Sequence, residues 1–302
     1  MIAAPLWSVM VPVFGRGIYL EQTLRSVVEQ SPGPARMQIT VVENPSEHLA
    51  VREIIAGLGR REIEHVCHPR NLGMIANWNQ CVRRARGELI HILHDDDYVL
   101  PGFYQKLEAA AERRLDCGLL LARCLEIDEA GEIERLSPRL RGLEQDAHDV
   151  RELLADNGIR CPGVVVRSTA YQRVGTFKEE IPYTADWDMW FRLIKAIGAV
   201  VLNEPLAAYR CRTDNMSSQF ARTGELARAH AVMAGLLAKE DERLDLAKAV
   251  SAAAWRAAFL AEDYHQRGDA EAVAANESVW REFASPRDRF RRMFHRWLRR
   301  RQ

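Results

Sequence analysis

Several features are missing from this 302-residue chain. It has no net charge, since 42 lysines and arginines balance 42 aspartates and glutamates. A whole-domain nucleic-acid binder normally carries a basic excess, so no nucleic-acid partner is expected. No apolar run reaches the roughly 18 residues that a membrane-spanning helix requires. Residues 1–14 have no basic stretch ahead of their apolar residues and run straight into a strand pattern, so no secretory leader is expected. The six cysteines (67, 81, 117, 124, 161 and 211) form no CxxC pair. Reduced thiols in a cytoplasmic protein are the natural expectation. His65, Cys67 and His68 lie close together but alternate along a strand pattern, so they cannot all face one metal. The phosphate loop GxxxxGKS/T and the dinucleotide fingerprint GxGxxG are both absent, which argues against those nucleotide-binding classes. Asp95–Val99 also lacks the threonine of the Asp-x-Asp-x-Thr pattern of strand-end phosphatases.

What remains is an ordinary globular composition, 47% hydrophobic and 28% charged, which excludes bulk disorder. Apolar runs at 7–14, 38–42, 63–67 and 89–93 read as buried strands. Between them, segments 18–30, 48–58 and 74–85 read as helices. This alternation predicts an α/β fold: a mixed, mainly parallel sheet with helices on both faces. Further strands are predicted at 119–127, 164–166 and 200–202, and helices at 102–114 and 187–197. Residues 142–156 are polar and read as loop plus helix. Beyond about residue 224 the chain becomes strand-poor, with helices predicted at 224–239, 246–264 and 270–283. Three regions follow: an α/β domain (1–217), a helical extension (218–284) and a basic C-terminal helix (285–302).

In an open α/β sheet, ligands bind at the carboxyl ends of the strands. Those ends carry Pro12-Val13-Phe14, Glu43-Asn44-Pro45-Ser46 and Asp95-Asp96-Asp97. Three consecutive carboxylates repel one another unless a positive charge neutralises them. Mg²⁺ or Mn²⁺ does this by joining carboxylates to a substrate's phosphates. The plainer reading is a solvated acidic turn ahead of the next helix. Asp186 and Asp188 stand before an apolar, tryptophan-rich helix, where N-capping is their plain role. Asn71, Gly73 and Asn77 likewise suit a turn and cap ahead of the 74–85 helix. Trp187 and Trp190 could offer flat ring faces to a ligand, although tryptophans at helical spacing are more often core.

Six ordered blocks between about Trp7 and Ser217 together resemble the family 2 glycosyltransferases of GT-A fold. Ser8–Phe14 resembles the family's "SVIIPVYN" strand, and Thr40–Ser46 its "IVVDDGS". Arg70–Gly73, Asn77 and Ala85–Glu88 resemble "NxGxxxAxNxGxxxAxGE". Leu93–Pro101 resembles "LHSDDYLLP". Val174–Phe177 with Ala185–Leu193 resembles "GGFDE…EDWDLWLRL", and Tyr209–Ser217 resembles "YRxHxxNxS".

The resemblance implies inverting transfer of a sugar from a nucleotide-diphosphate donor to a carbohydrate or lipid-linked hydroxyl, in surface polysaccharide, O-antigen or glycolipid synthesis. It implies a UDP-sugar first and a dTDP-sugar second. Pro12, Val13, Phe14, Glu43, Asn44, Asn71, Asn77 and Asp95 are then nucleotide-side residues. Asp96 and Asp97 hold a divalent cation. Asp186 is the base, which inversion requires because a single displacement must deprotonate the acceptor hydroxyl. Pro162, Gly163, Trp187 and Asp188 fall on the acceptor side.

The sequence departs from the pattern at three places. The usual "ED" is Ala185-Asp186. The base-contacting acid of many members is Asn44. The late histidine is Arg212, which cannot ligate a cation but can clamp a diphosphate bidentately. Competing readings are a sugar-nucleotide nucleotidyltransferase, for which Gly15-Arg16-Gly17 is a poor first loop, and a degenerate binding protein, against which the retained carboxylates stand.

The charge balance conceals segregation. Residues 285–302 hold eight arginines against Asp288 alone, a net +7, and the remaining 34 basic and 41 acidic residues give −7. Phe290, Met293, Phe294, Trp297 and Leu298 repeat at i, i+3, i+4, i+7 and i+8, a single apolar stripe bordered by arginine. An interfacial helix on an anionic membrane has this pattern, which would make the protein peripheral on the inner face. The alternatives are docking on the body of the protein or on another subunit, and the oligomeric state stays open.

Overall fold

The computed structural model describes residues 4–15, 17–46, 50–181, 183–214 and 216–299. They fall into two compact units, Met1–Val150 with Gly158–Cys211, and Arg151–Asn157 with Arg212–Gln302.

The first unit is built on a nine-stranded sheet. Its strands are β1 (Trp7–Val13), β2 (Met37–Glu43), β3 (Ile63–Cys67), β4 (Leu89–Ile92), β5 (Tyr98–Val99), β6 (Leu119–Ile127), β7 (Ile133–Leu136), β8 (Val164–Arg167) and β9 (Ala199–Arg210). They lie in the order β3-β2-β1-β4-β8-β6-β9-β5, with β7 added antiparallel on β6. The first four are mutually parallel, β8 runs against both β4 and β6, and β6 and β9 are parallel. Helices α1 (Leu20–Val28), α2 (Val51–Leu58), α3 (Met74–Arg84), α4 (Phe103–Arg113), α5 (Arg141–Gln145), α7 (Ser168–Val174) and α8 (Ala185–Ile197) belong to this unit. The second unit holds α6 (Arg151–Ala155), α9 (Met216–Thr223), α10 (Glu225–Glu240), α11 (Leu246–Gln266), α12 (Ala270–Phe283) and α13 (Pro286–Arg299).

Every residue of β1 and β2 is buried, as parallel strands covered on both faces require. Their polar residues therefore bond to one another. The Ser8 hydroxyl donates to Gln38 (2.6 Å), whose amide donates to Thr40 (3.0 Å), whose hydroxyl donates to Glu64 (3.0 Å). Arg86 closes the chain on Glu64 and draws that carboxyl below its usual range, against a smaller opposing effect of burial. The ladder thus joins β1, β2 and β3 and fixes the turn before β4. There the Gly87 and Arg86 N–H groups donate to Ser8 Oγ (2.7 and 3.0 Å).

In the second unit, α11 and α12 form a hairpin capped by Asp245 and Asp269, each accepting a bond from a first-turn N–H. Ala254, Ala257 and Ala258 pack with Val279 and Trp280. Small side chains let helices approach closely. Asn276 is fully buried and donates to the Ala221 carbonyl (2.8 Å), tying α12 to the end of α9.

The helix and strand pattern predicted for 7–93 stands, and so do the three long helices beyond residue 224. Four differences have physical causes. The strand predicted at 200–202 continues to Arg210, past Asn203, Glu204 and Pro205, because β6 shifts register at Ala122–Cys124 to accommodate them. β5 has two residues, and β7 is exposed throughout, so neither shows a periodic signal. α7 and α9 are short and were not predicted. Asp186 and Asp188 lie inside the first turn of α8, where Thr184 holds the N-cap position, so N-capping is not their role.

Gly87 provides a test of the ladder. A β-carbon there would fall 2.5 Å from the Trp7 carbonyl carbon and 2.6 Å from the Ser8 nitrogen. Backbone cannot yield as a flexible side chain can, so Gly87→Ala is expected to destabilise by at least about 2 kcal/mol. Urea denaturation measures this, and a loss below about 0.5 kcal/mol would show that the ladder tolerates displacement.

Candidate active site

The carboxyl ends of β1, β2 and β4 lie side by side, because Val13 pairs with Glu43 and Met10 with Ile92. Phe14 emerges there 55% exposed, whereas Pro12 and Val13 are buried. The Asn44 N–H donates to the Val13 carbonyl (2.9 Å). Its side chain reaches the next loop, donating to the Gly73 carbonyl and accepting from the Leu72 N–H, both at 3.1 Å. Asn71 folds the same loop by accepting the Gly73 N–H (2.8 Å), and Gly73 has φ +85°, a region that favours glycine. Asn77 is not a cap. It is buried in the second turn of α3, donating to the Val42 carbonyl and facing His68 Nε2, both at 3.1 Å. Glu43 is nearly buried and engages His65 at 2.7 Å.

The turn after β4 gathers the charge. His94, Asp96 and Asp97 each present one ligand atom within 4.8 Å of the others. Asp97 is 1% exposed. One of its oxygens accepts the Arg210 N–H (2.8 Å), and the other, Oδ2, has no partner among the described residues and lies 4.0 Å from His94 Nδ1. Burial raises the Asp97 carboxyl well above its usual range, and Asp96 and Asp95 raise it further, against the pull of Arg210. Burial also holds the His94 imidazole below its usual range, in opposition to Asp96.

Sequence reading placed the pair at Asp96 and Asp97 with Asp95 beside it. The structure adds His94 to the first two. The available signal was the His-x-Asp spacing at a strand end. An imidazole and two carboxylates suit a divalent cation such as Mn²⁺, and a buried oxygen without a partner is where a positive charge would be most effective.

Arg210 holds this turn in place. Its guanidinium donates to the carbonyls of Asp96 (3.0 Å) and Asp128 (3.1 Å) and to the Gln22 side chain (2.8 Å). It also lies 4.0 Å from the Tyr19 ring centre, a cation–π contact. The Thr23 hydroxyl donates to the Asp97 carbonyl (2.7 Å). Behind His94, Trp78 stacks at 5.0 Å, and Phe177 and Trp190 continue the aromatic wall.

The acceptor-side residues approach through a 3-10 turn, Cys161–Gly163. His91 Nε2 lies 3.1 Å from the Pro162 carbonyl, which fastens this turn to β4. Burial pushes the His91 pKa down to about 3, so its ring is neutral. Gly163 has no room for a β-carbon, which would sit 2.3 Å from the Ala122 oxygen. Asp186 accepts the Trp187 N–H at one oxygen (2.8 Å), and the Cys161 thiol lies 3.9 Å from the other. Burial raises the Cys161 thiol well above its usual range, and both Asp186 and Asp97 add to the shift. Cys161 is thus next to Asp186 and lines one cavity with His94, a link that sequence reading missed.

Trp187 is 2% exposed and belongs to the core rather than to a sugar-stacking surface. Asp188 is buried and paired with Lys178 (3.0 Å) and Arg192 (2.7 Å), and it thereby braces the 174–178 loop. Arg212 falls in the second unit, where Asp214 engages its guanidinium at two points.

Residues 8–156 match the sequence model of Glycosyl transferase family 2. The chain belongs to glycosyltransferase family 2. It is 32% identical over 206 residues to an uncharacterized protein of Mycobacterium tuberculosis (strain CDC 1551 / Oshkosh), covering 64% of this chain and 63% of that one. The chain spans just under two thirds of the length of this relative and of an uncharacterized glycosyltransferase of Methanocaldococcus jannaschii, to which it is 28% identical over 197 residues. Among solved structures it is similar to residues 1–349 of S. aureus TarS in complex with UDP-GlcNAc. The TM-score is 0.62 with 17% identity, covering 85% of this chain and 70% of that one. It is also similar to the mannosyltransferase PcManGT from Pyrobaculum calidifontis in complex with GDP-Man and Mn²⁺. There the TM-score is 0.55 with 16% identity, covering 92% and 85%. The fold is GT-A.

Replacing Arg210 by methionine keeps the stem and removes the cation, leaving the Asp96 and Asp128 carbonyls without it. A loss of about 3 kcal/mol is expected in chemical denaturation. A loss under about 1 kcal/mol would show that the carboxylate turn does not depend on Arg210.

Proposed function

We propose that this glycosyltransferase moves a sugar, with inversion, from a nucleotide-diphosphate donor to a hydroxyl of a carbohydrate or lipid-linked acceptor. The observation that carries the reading is the convergence on Cys161. Its thiol lies 3.9 Å from Asp186, and Cys161 lines one cavity with His94, whose ring shares the carboxylate turn with Asp96 and Asp97.

Asp186 is the proposed base. Its carboxylate takes the proton from the acceptor hydroxyl as the oxygen attacks the anomeric carbon from the face opposite the diphosphate. The carbon–oxygen bond to the nucleotide breaks in the same step, which inverts the configuration. The backbone bond from Trp187 fixes one oxygen of Asp186, and the burial of Trp187 and Asp188 fixes the helix beneath it. Pro162 and Gly163 border the acceptor side.

His94, Asp96 and Asp97 would hold Mg²⁺ or Mn²⁺, which when bound supplies charge neutralisation to the departing diphosphate. On the nucleotide side, Pro12, Val13 and Phe14 border the base. Asn44 and Asn71 set the loop at 71–73, Glu43 and Asn77 brace the strand end, and Asp95 meets the ribose.

TarS was solved with UDP-GlcNAc and PcManGT with GDP-Man, so the fold accommodates both base sizes. A UDP-sugar is our first choice and a dTDP-sugar our second. Synthesis of a surface polysaccharide, O-antigen or glycolipid is the setting that these substrates suit.

A thermal-shift screen of UDP-, GDP- and dTDP-sugars with Mn²⁺ identifies the donor, because a ligand that binds the folded state raises its melting temperature. With that donor, Asp186→Asn is expected to cut transfer by roughly 10²- to 10⁴-fold while leaving the donor's thermal shift intact. Full activity in this variant would remove Asp186 as the base. Asp96→Ala should abolish the Mn²⁺-dependent part of the shift, and an unchanged metal response would place the cation elsewhere.

A further inference from the structure

The second unit ends in a helix whose two faces are used in the opposite sense to the ordinary one. In a docked amphipathic helix the apolar stripe turns inward. Among the residues of α13 whose side chains are described, 286–293, the buried ones are Asp288, 3% exposed, and Arg292, 9% exposed. Asp288 accepts bonds from Ser251 (2.7 Å) and the Trp255 indole (3.0 Å) of α11, and from the Ser285 hydroxyl (2.6 Å). Burial alone would raise its carboxyl, but these donors outweigh it and hold the group below its usual range. Arg292 pairs with Glu277 of α12 (2.6 Å) and lies 4.7 Å from the Trp280 ring centre.

The apolar residues opposite them are left outside, with Phe290 64% and Met293 62% exposed. By sequence spacing Phe294, Trp297 and Leu298 continue their stripe. At about 100° per residue, Arg287 and Arg291 fall along one border of the stripe and Arg289 and Arg296 along the other. Arg287, Arg289 and Arg291 are exposed.

We propose that α13 seats the second unit on an anionic lipid surface, with Phe290 and Met293 entering the acyl boundary and the bordering arginines meeting the headgroups. Phe290 and Met293 are three residues apart on one helix and so neighbour each other, and an apolar patch rimmed by charge marks an interaction surface where scattered single residues do not. The partner has to accept both hydrocarbon and a double row of cations, and an anionic bilayer does so. A second copy of the chain would bring a second +7 helix against the first, a like-charge contact that carries a cost. The polar docking explains how α13 can be held in the folded unit with Phe290 and Met293 still outward. The inference is independent of the transfer chemistry.

Co-sedimentation of the full chain with vesicles tests it. The chain should pellet with an equal mixture of phosphatidylcholine and phosphatidylglycerol, and not with phosphatidylcholine alone. High salt should weaken the binding. The double variant Phe290→Ser/Met293→Ser should lose roughly tenfold or more in vesicle affinity. Its melting temperature should be unchanged, because both side chains are exposed. The double variant Arg287→Glu/Arg291→Glu should also release the protein. Equal binding to both vesicle types, or no binding to either, would overturn the proposal. So would a dimer in ultracentrifugation that the Phe290→Ser/Met293→Ser variant dissolves, since a second copy would then cover the stripe.

Discussion

The burial of Asp97 is the constraint from which the catalytic unit is organised. A carboxylate at 1% exposure, beside Asp95 and Asp96, is electrostatically unfavourable unless cations or donors surround it. The protein supplies Arg210 from the last residue of β9, more than a hundred positions away. Its N–H meets Asp97, and its guanidinium gathers Asp96, Asp128 and Gln22. One arginine therefore fastens α1, the carboxylate turn and the end of β6 together, and β5 pairs with β9 beside it. The other oxygen of Asp97 has no hydrogen-bond partner among the described residues, and His94 Nδ1 lies 4.0 Å from it.

Much of this framework is legible in the sequence, for reasons that differ by element. β1 and β2 are read easily because both of their faces are buried and the apolar run is continuous. The long helices after residue 224 are read from alanine-rich periodicity. β7 is an exposed edge strand and leaves no mark. β9 contains Pro205 and Glu204 within a strand, which local propensity treats as an interruption, and only its pairing with β6 and β5 carries it through. The assignment of 151–157 to the second unit rests on long-range packing that no local pattern encodes.

The site divides in the same way. Carboxylates at a strand end can be found from their position, so Asp96 and Asp97 were accessible to sequence reasoning. His94 was not singled out, because the three carboxylates that follow it carry the visible signal of the turn. Its stacking on Trp78 and its distance to Asp97 become apparent only after folding. Asn44 shows the reverse. Its position pointed to a base edge, yet its amide binds both Leu72 and Gly73. An asparagine offers two donor hydrogens and two acceptor lone pairs, so one of each remains after that work. The residue can thus shape the loop and still face a ligand, and sequence position alone could not separate these roles.

Cys161 and Arg210 illustrate a wider point about where charge is placed. The first unit gathers three carboxyl groups at one turn and buries the last of them, Asp97. The end of the chain concentrates positive charge on one helix and spends its only carboxylate, Asp288, on fixing that helix. Had Asp288 been exposed and Phe290 buried, α13 would be an ordinary docked helix with its arginines as a solvated fringe. Because Asp288 and Arg292 are buried instead, Phe290 and Met293 are offered together with Arg287, Arg289 and Arg291. Zero net charge is therefore the sum of an acidic body and a basic terminal helix, two regions of opposite sign.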